Sequence, residues 1–131
     1  MDRKKLLIRI TSLIFFIFIL NFLANKLYWY SSIWYFDMIM HFLGGFWLSL
    51  ALIWVFKVKE ISLKIVTRLL LGVLLIGVGW EVFEVLVNNL LAQNPFYALD
   101  TFSDICFDLA GGSTAILYVI KRVIIVFKKE V

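Results

Sequence analysis

Long apolar stretches alternate with short polar ones along the chain, and this pattern predicts membrane-spanning helices. A helix needs about 20 mostly apolar residues to cross the hydrocarbon core of a bilayer. We predict four such spans, at roughly 6–23, 37–56, 65–91 and 101–120. The third is long enough to require a tilted helix. The predicted fold is therefore all-α, an integral membrane four-helix bundle that forms a single transmembrane domain over residues 1–131.

The segments between the spans carry residues that are typical of a membrane surface. The stretch KLYWYSSIWYF at 26–36 concentrates tyrosine and tryptophan, as aromatic belts at headgroup level do. Polar residues and the single proline mark the end of the third span and a short loop: Asn88, Asn89, Gln93, Asn94 and Pro95. After the fourth span, Lys121 and Arg122 indicate the interface, and we expect the apolar VIIVF stretch to continue the helix there.

The composition supports a membrane environment and excludes other classes. The chain is 63% hydrophobic, whereas soluble domains are about 45–50% apolar. Cys106 is the only cysteine, which excludes an internal disulfide and gives no metal–thiolate pattern. Because the basic residues come in short clusters beside apolar runs, the net charge of +4 does not indicate nucleic-acid binding. The expected partners are membrane lipids and either a second copy of the chain or another membrane protein.

The distribution of basic residues predicts the orientation of the chain. In a four-span arrangement, Lys26 is the only one of the 13 lysines and arginines on its side of the membrane. The positive-inside rule then places both termini in the cytoplasm of a multi-pass protein of the inner or plasma membrane.

Six of the nine acidic residues lie within or beside the predicted spans, together with the only histidine. Ionisable side chains at membrane depth are costly and usually mark a functional site. By the predicted orientation, all of them lie in the outer half of the membrane and form a site that faces the extracytoplasmic side. They are Asp37, His41, Glu81, Glu84, Asp100, Asp104 and Asp108.

The spacing of these residues places them on three helix faces. Asp37 and His41 are four residues apart, Glu81 and Glu84 are three apart, and Asp104 and Asp108 are four apart. At 1.5 Å per residue, His41, Glu84 and Asp104 each lie about 6 Å inside their outer helix ends. We therefore predict one cluster, closed from below by close helix packing at the glycines in this region: Gly44, Gly45, Gly77, Gly79, Gly111 and Gly112.

Structural roles are the alternative at several of these positions. Asp100 or Thr101 could be a helix N-cap, with Asp104 completing a variant capping box. Asp37 could be a first-turn acid favoured by the helix dipole. Glu84 could extend toward the interface, and His41 could be a packing histidine. Glu81 and Asp108 lie too deep for any of these roles, so they are our candidate catalytic residues.

A shared cation would relieve the repulsion in such a cluster. Six carboxylates lie near only one lysine, so some must hold protons or a cation must neutralise them. Oxygen ligands with one histidine favour a divalent ion such as Mg²⁺, Ca²⁺, Mn²⁺ or Zn²⁺. The predicted metal ligands are His41, Glu84 and Asp104, and the secondary candidates are Asp37, Asp100 and Asn88.

The motifs that carry these residues resemble those of known membrane families. FDMIMHFLGGFW, GWEVFE and DTFSDICFDLAGG resemble the helices of the YjdF-like inner-membrane proteins and, more distantly, of the VanZ-like family. The VanZ-like pattern usually has glutamine where Glu84 stands and asparagine where Asp108 stands, so the YjdF-like resemblance is closer. The VanZ-like resemblance implies a link to glycopeptide-antibiotic resistance.

Three functions fit the pattern. The first is a divalent-metal-dependent activity on a lipid headgroup or a lipid-linked envelope substrate, because the site opens at headgroup level. The second is a cation- or proton-coupled transporter or a transporter subunit, since carboxylate chains in helices are typical of ion relays. The third is a VanZ-like resistance protein or an assembly protein without catalysis, in which the polar cluster fixes helix packing.

Overall fold

Four long helices and one short helix make up the part of the chain that the structure describes. A computed structural model describes residues 2–91 and 97–129, and the side chains as far as Arg122. The helices are α1 (Arg3–Lys26), α2 (Trp29–Ser32), α3 (Phe36–Val55), α4 (Leu63–Leu91) and α5 (Ala98–Lys129). No strand occurs among these residues, so the predicted all-α class is confirmed. The loop residues Gln93, Asn94 and Pro95 lie outside the described residues.

The long helices match the predicted spans closely. The helices are 24 residues long in α1, 20 in α3, 29 in α4 and 25 in α5 as far as Arg122, and each is long and apolar enough to cross a membrane. Every predicted span lies inside its helix, except that Phe56 follows the end of α3. The stretch predicted as an aromatic belt contains α2, which begins after the left-handed Tyr28 with a φ of 57°. The chain is thus a multi-pass membrane protein.

The central pair of the bundle consists of α3 and α5, which run parallel to each other. His41 near the start of α3 faces Asp108 of α5, and Ile53 near the end of α3 shares an apolar cluster with Val119. A methyl group added at Gly45 would overlap the Asp108 backbone, and one at Gly111 would overlap the Phe42 backbone. Glycine at these positions therefore lets the two helix backbones touch.

Two of the predicted packing glycines have a different environment. Added methyl groups at Gly44 and Gly79 would meet no atom within 4 Å. The prediction that they support close packing was wrong. Gly44 is one residue from the packing position Gly45 and points about 100° away from it, and Gly79 is two residues from Gly77 and points about 200° away. Gly77, by contrast, faces the Asp108 side chain of α5, and Gly112 faces Val73 of α4.

The end of the bundle opposite His41 is filled by apolar side chains. α1 runs antiparallel to α3, and the Trp47 indole donates a hydrogen bond to the Ile10 carbonyl at 3.0 Å. At the same end, Arg3 donates to the Trp54 carbonyl at 3.3 Å. The core here comprises Leu6, Ile10, Leu50, Ile53, Leu69, Ala115, Ile116 and Val119. Polar chemistry is therefore left to the other end, where α3, α4 and α5 meet.

Candidate functional site

His41 is the centre of a cluster to which α3, α4 and α5 all contribute carboxylates. Its Nε2 atom lies 3.7 Å from Glu81 Oε1 of α4 and 3.9 Å from Asp104 Oδ2 of α5. Asp37, one turn earlier on α3, places Oδ1 3.9 Å from the same nitrogen. The predicted convergence of three helix faces is therefore present in the structure, with the histidine between the carboxylates.

The other ring nitrogen of His41 faces Asp108. Its Nδ1 atom lies 3.3 Å from Asp108 Oδ1. If Nδ1 carries a proton and donates to this carboxylate, the Nε2 lone pair is left pointing at the remaining acids. Metal-ligating histidines typically donate one ring N–H to a carboxylate, which leaves the other ring nitrogen free to face the metal and its acidic ligands.

The innermost members of the cluster are almost completely buried. The exposed fraction is 7% for His41, 6% for Glu81, 3% for Asp104 and 7% for Asp108. Within the described part of the chain, Glu81 Oε1 is inaccessible and has no hydrogen-bond partner. It faces His41 Nε2 at 3.7 Å, which is beyond hydrogen-bond reach. An isolated buried acceptor of this kind costs free energy unless something else binds to it.

Among the described residues, two sets of side chains could hold a metal ion. One consists of Asp37, His41 and Asp104, and the other of His41, Glu81 and Glu84; in each, one ligand atom per residue lies within 4.8 Å of the others. Bonds of about 2.1 Å to a tetrahedral ion would put neighbouring ligand atoms about 3.4 Å apart. The contacts of 3.7–3.9 Å around Nε2 are wider than this, so the side chains would have to move inward to reach coordination distance.

A glycine on α4 leaves room for the Asp108 carboxylate. A methyl group added at Gly77 would lie 2.6 Å from Asp108 Oδ2. Gly77 stands one turn before Glu81 on the same face of α4. The absence of a side chain at this position therefore lets Asp108 lie between α4 and His41.

The secondary candidates lie at the edge of the cluster. Asp37 is in the first turn of α3, as the dipole alternative predicts, and it also contacts His41. Asp100 is exposed, and the N-cap alternative for it is wrong because α5 begins at Ala98. Asn88 is half-buried one turn beyond Glu84, and its side chain makes no hydrogen bond to a described residue. The assignment of individual catalytic and metal-ligating roles stays a prediction.

Two residues near the cluster carried no signal in the sequence. The Ser103 hydroxyl lies 3.5 Å from Asp104 Oδ1 and donates to the Asp100 carbonyl. Tyr30 lies on α2, outside the spans, and burial together with the Asp37 and Glu84 carboxylates raises its pKa to about 12. Serine and tyrosine are common in surface segments, so neither spacing nor residue type distinguishes these two from their neighbours.

The bundle closes directly below the cluster. The backbone contacts of α3 with α5 at Gly45 and Gly111 lie one turn from His41 and Asp108. Ser49, a further turn along α3, is fully buried, and its hydroxyl has no partner among the described residues. The apolar core follows beyond it. In the described part of the chain, the cluster therefore has no continuous polar connection to the opposite end.

Comparison with known proteins gives a family match over most of the chain. The family described as "Predicted membrane protein (DUF2238)" matches residues 2–123. This match is consistent with the YjdF-like resemblance, while the VanZ-like resemblance stays a prediction. Comparisons with curated proteins and with solved structures give no match.

Proposed function

The chain belongs to the DUF2238 family of predicted membrane proteins, and we propose that it binds a divalent metal ion at His41 and acts on a lipid headgroup or a lipid-linked envelope substrate. The observation that carries this proposal is the pairing of His41 Nε2 with the unpartnered, buried Glu81 Oε1. A cation between these atoms would satisfy both. It would also neutralise the surrounding carboxylates, which a hydrogen bond to one of them would not do.

The residues of the cluster would then have distinct roles. His41 would be the ligand shared by both metal positions, with Glu81 and Glu84 completing one and Asp37 and Asp104 completing the other. Asp108 is a positioning residue, because it lies against the opposite ring nitrogen. This differs from the catalytic role that we predicted for Asp108 from its depth in the membrane. A bound ion would supply Lewis-acid chemistry, polarising a phosphate or activating water.

The orientation of the chain decides which substrates could reach this site. With both termini in the cytoplasm, the mouth of the cluster at Asp37 and Glu84 opens at the outer headgroup level. Fusing a reporter that is active only outside the cytoplasm to the C-terminus should then give no activity, and fusing it after Ser31, between α1 and α3, should give activity. The reverse result would place the site on the cytoplasmic side and exclude an outer-leaflet substrate.

The alternative functions fit the packing less well. A transporter requires a path for the ion, but backbone contact at Gly45 and Gly111 closes the described part of the bundle below the cluster. An assembly protein held together by a polar network would be expected to pair its buried acceptors, and Glu81 Oε1 is left unpaired.

Metal content is the direct test of the binding proposal. Detergent-purified protein is loaded separately with Zn²⁺, Mn²⁺, Mg²⁺ or Ca²⁺, dialysed, and analysed by inductively coupled plasma mass spectrometry. We expect about one ion per chain for at least one metal, and its loss in Glu81→Gln. Glu60→Gln is the matched control, since Glu60 is exposed in the loop between α3 and α4.

Two outcomes would contradict the proposal at different points. If no metal is retained and none raises the melting temperature, metal binding itself is wrong. If metal is retained but the loaded protein releases no headgroup or phosphate from envelope lipids, the proposed activity is wrong while the metal site stands.

A further inference from the structure

An open groove lies on the side of the bundle, between α1, α3 and α5 and away from His41. Its volume is about 500 Å³. Three of its lining residues are polar, namely Arg9, Ser12 and Tyr118, and the apolar ones include Leu13, Phe46 and Leu50. We propose that this groove binds an anionic phospholipid, with the phosphate on Arg9 and one acyl chain along the apolar residues.

The charge of Arg9 is the first argument. No carboxylate of a described residue lies within 4.0 Å of its guanidinium group. The group donates a hydrogen bond to the Tyr118 hydroxyl, and its central carbon lies 5.7 Å from the centroid of the Tyr118 ring. These contacts fix the guanidinium at the groove without neutralising it. The remaining N–H donors are left for an anion, and phosphate is the acceptor that suits an arginine fork.

The depth of Arg9 makes a membrane lipid the fitting anion. Arg9 lies three residues inside the predicted span at 6–23, which is about 4.5 Å along the helix. A cation at this depth requires either a partner or an extended side chain that reaches the interface. Phospholipid phosphates are the anions that lie closest to this level of a membrane.

The order of residues along the groove follows the order of groups in a phospholipid. Leu13 lies one turn deeper than Arg9 on α1, and Phe46 lies one turn before Leu50 near the middle of α3. The groove thus leads from the cation toward the bilayer midplane over an apolar surface. A phospholipid with its headgroup at Arg9 and an acyl chain directed inward would occupy the groove in the same orientation as the lipids of the surrounding bilayer.

Nearby cations favour a lipid with a net negative charge. Lys4 and Lys5 open α1, and Lys121 and Arg122 follow Tyr118 by about one turn on α5. All lie at the same end of the bundle as the groove. Clusters of this kind attract anionic headgroups more strongly than zwitterionic ones.

Native mass spectrometry of the detergent-solubilised full chain tests the proposal. Phosphatidylglycerol and phosphatidylcholine with identical acyl chains are titrated in parallel. We expect tighter binding of phosphatidylglycerol, and Arg9→Gln should weaken it about tenfold through loss of charge-assisted hydrogen bonds. Arg68→Gln is the matched control, because Arg68 is an exposed arginine near the start of α4 and does not line the groove.

A second variant separates loss of the lipid site from loss of the fold. Ser12→Trp fills the groove without changing charge, and Ser12 is exposed, so the bundle should tolerate it. We expect phosphatidylglycerol binding to fall in Ser12→Trp while helix content is unchanged. Equal binding of the two lipids, equal losses in Arg9→Gln and Arg68→Gln, or full binding by Ser12→Trp would each overturn the proposal.

Discussion

His41 of α3 and Asp108 of α5 are joined through Nδ1 and Oδ1, which lie 3.3 Å apart between two buried side chains. The contact lies one turn from Gly45 and Gly111, where the backbones of α3 and α5 touch. It determines which nitrogen of His41 faces Glu81. The chemistry available to the cluster therefore depends on a residue on the far side of the ring.

Replacing Asp108 with asparagine should weaken metal binding without unfolding the chain. Asparagine has nearly the same size, but it removes the charge that stabilises the Nδ1–H tautomer of His41. Loss of such a partner typically costs about 10–100-fold in metal affinity. Isothermal titration with the metal that wild type retains measures the change. An unchanged affinity would show that Asp108 does not position the imidazole.

Gly77 should be sensitive to alanine where Gly79 is not. In Gly77→Ala the new methyl group would lie 2.6 Å from Asp108 Oδ2, so the carboxylate must move away from its present position. We expect metal affinity to fall about tenfold, as for other lost partners of a ligating histidine. Gly79→Ala places its methyl in open space and should bind metal as wild type does. Similar affinities for the two variants would contradict this role of Gly77.

The helix crossing at Gly45 predicts a large difference in stability between adjacent positions. Gly45→Ala would push α3 away from the Asp108 backbone, and overpacking against a backbone should cost about 3 kcal/mol or more. Gly44→Ala meets nothing and should leave stability unchanged or raise it by up to about 1 kcal/mol through helix propensity. Thermal unfolding in detergent, followed by circular dichroism, measures both. Equal melting temperatures would show that the helices do not touch at Gly45.

Ser49 should be dispensable for the fold. Its hydroxyl is fully buried without a partner, so Ser49→Ala removes an unsatisfied group at the cost of one small atom. We expect the free energy of unfolding to stay the same or rise by about 1 kcal/mol. Leu50→Ala at the next, equally buried position should lower it by about 2–5 kcal/mol, which shows that the assay detects core changes. A comparable loss in Ser49→Ala would mean that the hydroxyl has a structural role.

The helices were predictable from the sequence because lipid imposes a simple rule on length and apolarity. Each span was located to within a few residues, including the long α4. The short helix α2 was not predicted, since Trp29–Ser32 has no periodicity long enough to distinguish it from a belt segment. Residue type alone did not locate the helix ends: Asp100 has the residue type of an N-cap, yet α5 begins at Ala98.

The site was predictable to the level of helix faces but not of individual atoms. Spacing of three and four residues correctly predicted the helix faces that bring Glu81 and Asp104 to His41, because the side chains on a helix repeat at that interval. It could not tell which carboxylate would face which nitrogen, and it gave Asp108 a catalytic role that its position at Nδ1 does not favour. That choice depends on the crossing of α3 with α5, a tertiary contact between residues far apart in sequence.

α5 supplies two of the three buried carboxylates among the described residues, and this has a consequence for how the protein enters the membrane. Its most apolar window has the lowest mean hydropathy of the four spans, 1.3 against 2.4 for α1. An aspartate near the centre of a lone segment, as Asp108 is, opposes translocon-mediated insertion by about 2.5–3.5 kcal/mol. We therefore expect α5 to insert efficiently only after α3 and α4 are in place to receive Asp104 and Asp108, which glycosylation mapping of α5 alone and of the full chain would reveal. The insertion of the last helix would then be the step that assembles the acidic cluster.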